Sequence, residues 1–147
     1  MLNKSMPDKI IKNLENADLS GADLDGSVFD SARMRKISLR TASLVNAHLR
    51  DADLSRADLS HACLRGANLQ RANLSGALLV GADLSDSNMT DAILIGADMR
   101  RARLTGTILR TAQLSGADIR GAIDDFLTIW PASMCPRSLG VQPNDEQ

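Results

Sequence analysis

Every fifth residue from Leu14 to Ile119 is apolar, and few folds can use such a spacing. The series runs Leu14, Leu19, Leu24, Phe29, Met34, then unbroken Leu from Leu39 to Leu84, then Met89, Leu94, Met99, Leu104, Leu109, Leu114 and Ile119. All 22 positions are apolar and 17 of them are Leu. In a chain that is 44% apolar, chance gives such a run about once in 10⁸, so the repeat is the feature any fold must satisfy. Two residues before each member stands a small residue, usually Ala, from Ala17 to Ala122. The exceptions are Lys12, Ser27, Ile37, Ser87 and Thr107.

A period of five suits neither regular element. On an α-helix, steps of five scatter the leucines around the axis. On a straight strand, alternate members point to opposite faces. One-sided burial therefore requires the chain to turn once per repeat. The Ala and the Leu, two apart, share the inner face. The other three residues of each repeat point outward or make the corner.

Ala-Asp-Leu-Ser-Gly at 17–21, Ala-Asn-Leu-Gln-Arg at 67–71 and Ala-Asp-Leu-Ser-Asp at 82–86 carry a family likeness. The chain resembles the pentapeptide-repeat proteins, whose signature is A-(D/N)-L-x-x. The match covers about three quarters of the sequence in unbroken register. The resemblance implies an all-β solenoid, a right-handed quadrilateral β-helix with four repeats per coil, and the residues at its two ends read as short helical caps. On that basis 22 repeats make about five and a half coils, and a rod roughly 25 Å long at the spacing of stacked strands. Four repeats per coil would stack residues twenty apart. At that offset the outward charges give six opposite-sign pairs, such as Asp51/Arg71, against three like-sign pairs, such as Lys36/Arg56. Unlike charges on stacked strands are favourable, so the charge pattern agrees.

The organisation follows: an N-terminal cap over residues 1–13, the β-helix over 14–121, a C-terminal cap over 122–132, and a flexible tail over 133–147. In the first segment, Pro7 suits a helix start with Asp8 in the first turn, and Ile10, Ile11 and Leu14 share one side. At the other end, Asp124 occupies the next central position and breaks the pattern. Asp124 or Asp125 is placed to cap a short turn carrying Phe126, Leu127, Ile129 and Trp130, which Pro131 stops. These apolar residues are expected to cover the last coil or to form a dimer contact. From Ser133 the sequence has no periodicity and reads as a tail.

Composition narrows the function. Net charge is −1, and outward positions in the repeat balance acids against bases, so there is no field to recruit nucleic acid. Phe29, Phe126 and Trp130 are the only aromatics, too few for a base-stacking surface. No stretch is long and apolar enough for a membrane span, and the N-terminus lacks the apolar core of a secretory signal. Cys63 and Cys135 form no disulfide framework and read as reduced thiols, which points to the cytoplasm.

Catalysis has no candidates. His48, His61 and Cys63 lack metal-ligand spacing. No nucleophile has an adjacent base, and no Gly-rich phosphate loop occurs. The many Asp and Asn residues before the central position read as acceptors for nearby backbone N–H groups. Gly at the last repeat position suits corners that need unusual φ. No metal, cofactor or enzymatic activity is expected.

Most outward positions are polar, and two strands break this. Leu78 and Val80 flank Leu79, and Ile93 and Ile95 flank Leu94. In four-per-coil geometry these four residues gather near one edge and form the candidate partner surface. The expected function is a non-catalytic rod that presents rigid faces to a protein partner, as a monomer or a C-terminal homodimer. The alternative implied by the resemblance is a DNA mimic that regulates or protects DNA gyrase, as quinolone-resistance relatives do. That role wants a persistently acidic rod, which this balanced surface does not supply.

Overall fold

The computed structural model describes residues 13–144. From Asn13 onward, each repeat makes one parallel bridge to the residue twenty positions later. Asn13 pairs with Arg33, Asp18 with Ser38 and Asp23 with Ser43, and the series continues unbroken to Arg103 with Ile123. Twenty residues are four pentapeptides, so one circuit presents four sides. The central residues point inward and stack, and from Met34 to Leu109 every one of them has no exposed surface. The N-terminal cap expected over residues 1–13 lies outside the described residues except for Asn13, which is already in the ladder.

Repeats with Asp or Asn before the central residue satisfy their five backbone N–H groups by one rule in the body of the rod, shown here around Leu54. Leu54 N–H donates to the Asn73 carbonyl at 2.8 Å and Arg56 N–H to the Ser75 carbonyl at 2.9 Å, both in the next circuit. Asp53 N–H donates to the Ala32 carbonyl of the circuit below at 2.9 Å, and Ala57 N–H closes the corner onto the Leu54 carbonyl at 3.0 Å. Only Ser55 N–H remains, and Asp53 Oδ1 accepts it at 3.1 Å. The same side-chain bond forms at Asn13, Asp18, Asp23, Asp58, Asn68, Asn73, Asp83, Asn88, Asp98 and Asp118. The Asp or Asn of the motif thus completes the backbone account, because an unpaired amide costs stability. Where Ser43 and His48 take that position, the donor turns to the circuit below. Val45 N–H reaches Asp25 Oδ1 and Arg50 N–H reaches Asp30 Oδ1, both at 2.9 Å.

The corners refine the sequence reading of glycine. Every corner residue has positive φ, yet many are not glycine: Lys36 has φ 55°, His61 57° and Arg71 56°. Positive φ alone therefore does not select glycine. Space does at some corners. A Cβ on Gly66 would lie 2.3 Å from Asn46 Oδ1, and one on Gly106 would lie 2.4 Å from Asp86 Oδ1. The side chain one circuit below folds up into the room that glycine leaves.

The motif stops at Ala122, but the coil does not. Strand β1 (Ile123–Asp124) pairs in parallel with β2 (Gln142–Pro143). Gln142 N–H donates to the Ala122 carbonyl and Asn144 N–H to the Asp124 carbonyl, each at 2.7 Å. Between them lies one 3₁₀ helix, Pro136–Leu139, ended by Gly140 at φ 86°. Val141 is buried against the core. The flexible tail expected over 133–147 is corrected as far as Asn144, and the helical segment lies at 136–139 rather than within 122–132. The cause is backbone pairing: the open carbonyls of Ala122 and Asp124 recruit a strand whose side chains carry no five-residue pattern.

Asp124 does not cap a turn. It stands above Leu104 in a central position and is 4% exposed. Trp130 Nε1–H donates to its Oδ2 at 2.9 Å. Arg137 Nη1 lies 2.6 Å from its Oδ1 as a charge contact without hydrogen-bond alignment. Ile129 pairs with Ile108, twenty-one residues earlier, so one residue has been added to the turn before it. That insertion brings Trp130, partly buried, into the slot above Leu109.

Candidate interaction surface

With Leu and Ala filling the interior, the chemistry available to a partner lies on the outer sides and at the ends. Leu78 lies between Asp58 and Asp98 on one side, and Ile93 lies between Asn73 and Gln113 on the preceding side. Ile95 shares the side of Ile93, and Val80 the side of Leu78. The four residues flank one corner, but unequally. Leu78 is 43% and Ile95 44% exposed, while Val80 and Ile93 are half-buried. Val28, on a third side, is also exposed and escaped the sequence reading because it stands alone in its repeat.

The expected terminal cap separates into two parts. Trp130 packs against the core. Phe126 does not: it is 94% exposed, and Leu127 and Ile129 also face outward. The inserted residue explains the difference, because the longer turn pushes Phe126 and Leu127 off the end of the rod. The turn is firmly held. Asp125 Oδ1 accepts the N–H groups of Gly106, Leu127 and Thr128, and Thr128 Oγ1 donates to the Leu104 carbonyl at 2.7 Å. Burial alone would raise the Asp125 pKa, but these donors outweigh it and hold it below the usual carboxylate value.

The charged residues form ion pairs mostly along two directions. One runs within a strand: Arg100 to Asp98 at 2.7 Å and Arg120 to Asp118 at 2.6 Å. The other is diagonal between circuits, eighteen residues apart: Arg40 to Asp58 at 3.1 Å, Arg100 to Asp118 at 3.8 Å and Arg35 to Asp53 at 4.0 Å. Of the twenty-apart pairs expected from sequence, Asp51 with Arg71 forms a two-pronged contact at 2.7 Å. Sequence counting at one offset missed the diagonals, because the side chains before and after a central residue lean toward each other across circuits.

These contacts make stability depend on acid. The hydrogen bond from Arg120 holds the Asp118 carboxyl down to about 2, against an ordinary value of 3.8. Arg71 likewise lowers Asp51, and Arg100 lowers Asp98. A carboxylate with a lowered folded pKa stabilises the fold fully above its unfolded value and loses that contribution as pH falls through the folded one. Melting curves should therefore be flat above about pH 5 and fall between roughly pH 4 and pH 2. A midpoint independent of pH across that window would contradict the assignment.

Two chemistries find no support among the described residues. No group of His, Cys, Asp and Glu is arranged to hold a metal ion. No helix is long and apolar enough to cross a membrane. Cys63 is half-buried and Cys135 exposed, and neither is in a disulfide.

Comparison with known proteins agrees with the geometry. Models of the family described as pentapeptide repeats match residues 13–44, 32–71, 67–106 and 100–123, with eight copies. None of the curated proteins matches the chain. Among solved structures, the chain is similar to the pentapeptide repeat protein Rfr23 of the cyanobacterium Cyanothece 51142. Identity is 29% and the TM-score 0.65, over 81% of this chain and 91% of that one. A pentapeptide repeat protein of the Arabidopsis thaliana thylakoid lumen is 33% identical with a TM-score of 0.48, over 75% of this chain and 63% of that one. QnrB1, a plasmid-mediated fluoroquinolone resistance protein, is 16% identical with a TM-score of 0.40, over 85% of this chain and 81% of that one. No catalytic family is indicated.

Proposed function

This chain belongs to the pentapeptide-repeat family, and on that footing we propose that it is a non-catalytic scaffold presenting rigid outer faces to a protein partner. One observation carries the reading. The interior is a stack of Leu and Ala side chains without exposed surface, while apolar Leu78 and Ile95 stand outside it on a framework tied by backbone bonds in every circuit. A rigid surface gives up little conformational entropy on association, which is what a docking platform needs. The family's right-handed quadrilateral β-helix, closed here by residues 122–144, supplies that rigidity. Cytoplasmic residence is part of the proposal, although a relative resides in the thylakoid lumen.

The gyrase-directed alternative gains no observation in its favour. The likeness to QnrB1 lies at an identity that reflects the fold alone. The outer charges alternate in sign along the rod and do not make it a polyanion.

The experiment is capture of partners from the source cell with the parent chain and with a Leu78→Ser, Ile95→Ser double variant. These side chains already face water, so the melting temperature should stay within a few degrees of the parent, about 1 kcal/mol or less. A partner retained by the parent should be lost by the variant. If the variant unfolds, the two residues are structural. If every partner is kept, this corner is not the docking surface.

A further inference from the structure

Charge on this rod is banded by circuit. Residues 13–32 carry Glu15, Asp18, Asp23, Asp25 and Asp30 with no Lys or Arg. Residues 33–52 carry Arg33, Arg35, Lys36, Arg40 and Arg50 against Asp51 alone. Residues 73–92 are again acidic, with Asp83, Asp86 and Asp91 and no Lys or Arg. Between them, residues 53–72 are mixed, with Arg56, Arg65 and Arg71 against Asp53 and Asp58, so the basic band, continued at its corner by Arg56, lies between acidic bands.

The two arginine-rich regions are not alike. Near the C-terminal end, Arg100 and Arg120 are held by Asp98 and Asp118. In the basic band, Arg33, Lys36 and Arg56 have no acidic partner among the described residues. Asp53, the residue bridged to Arg33, is already committed to Ser55 N–H and Arg35. Lys36 and Arg56 occupy the same corner one circuit apart, with Lys36 N–H donating to the carbonyl of Ser55, the residue before Arg56, so two like-charged side chains project from backbones about 4.8 Å apart along the rod. Like charges on neighbouring strands oppose each other. All three side chains are exposed.

We infer that Arg33, Lys36 and Arg56, with Arg35 and Arg40 beside them, form a docking site for an acidic segment of a protein partner. The bands decide the class of partner. An acidic peptide can follow the basic circuit and its corner. Duplex nucleic acid laid along the rod would meet the acidic circuits on either side, and no exposed aromatic stands beside the patch for base stacking. A flat anionic membrane would meet the same acids. The inference rests on the scaffold reading above and names the chemistry of one partner.

The test uses fluorescently labelled octaglutamate and the full chain, with binding read by anisotropy at low ionic strength. Arg33→Gln, Lys36→Gln and Arg56→Gln together should weaken binding at least about tenfold, and added salt should weaken binding to the parent. Arg100→Gln, Arg101→Gln and Arg120→Gln remove the same charge elsewhere and should change binding less than about twofold. The first triple variant should melt at or above the parent temperature, because it removes stacked like charges; a lower midpoint would assign these residues a structural role and overturn the inference. So would equal weakening by both sets, no binding of octaglutamate, or tighter binding of a short DNA duplex or of phosphatidylserine vesicles. If octaglutamate fails while the Leu78 and Ile95 corner still captures a partner, only the basic site falls and the scaffold reading stands.

Discussion

Leu64→Asp should abolish the folded state. Leu64 lies in the middle of the rod without exposed surface, and its N–H donates to the Asp83 carbonyl in the next circuit. Its neighbours in the stack are Leu44 and Leu84, equally enclosed. Loss of one buried Leu removes about 1.5–3 kcal/mol of burial. The carboxylate that replaces it has no partner in an interior of Leu and Ala, which costs several kcal/mol more, or forces it to be protonated. Total stability of a domain is only about 5–15 kcal/mol. The circular dichroism spectrum should lose its β signal at 25 °C, the reference temperature of those magnitudes. A solenoid has one further outcome to separate, a local break of the coil that leaves each half folded, because contacts are made only between neighbouring circuits. Proteolysis separates the two results. Global unfolding gives no protected fragment, whereas protected fragments on both sides of residue 64 would mean that the circuits fold independently. An unchanged melt would refute the assignment of inside and outside.

Trp130→Ala should be the second most damaging change, and its damage should stay at one end. The indole covers the slot above Leu109 and satisfies Asp124 Oδ2. Removing it exposes the end of the core and leaves a buried carboxylate oxygen without its donor. A fully buried Trp→Ala change costs about 3–5 kcal/mol; this residue is only partly buried, so about 2 kcal/mol is expected, with an additional contribution from the orphaned oxygen. The melting temperature should fall by roughly 5–10 °C. Amide exchange should quicken from Gly121 to Asn144, where the backbone of β1 and β2 depends on this closure, and remain slow at mid-rod. Light scattering should detect end-to-end association as the terminal edge is uncovered. A variant that melts like the parent, but turns a dimer into a monomer, would make Trp130 a dimer contact and not part of the closure.

The sequence alone determined the body of this protein. A five-residue apolar period admits one economical solution, a chain that turns once per repeat, and the Ala and Leu positions assigned inside are inside. Even the role of Asp and Asn before the central residue was legible, because one short side chain and one spare N–H two residues on make a local bond that needs no knowledge of the fold. Tertiary structure decided the rest, where the interacting groups are distant in sequence and obey no period. The diagonal ion pairs depend on how side chains lean between circuits. The exposure of Phe126 depends on a single inserted residue, invisible until Ile129 finds Ile108. The closure of the rod depends on Arg137 and Trp130 meeting Asp124, a polar residue that sequence reading treats as the end of the coil. Its burial became tolerable only when the chain brought an indole N–H and a guanidinium back to it.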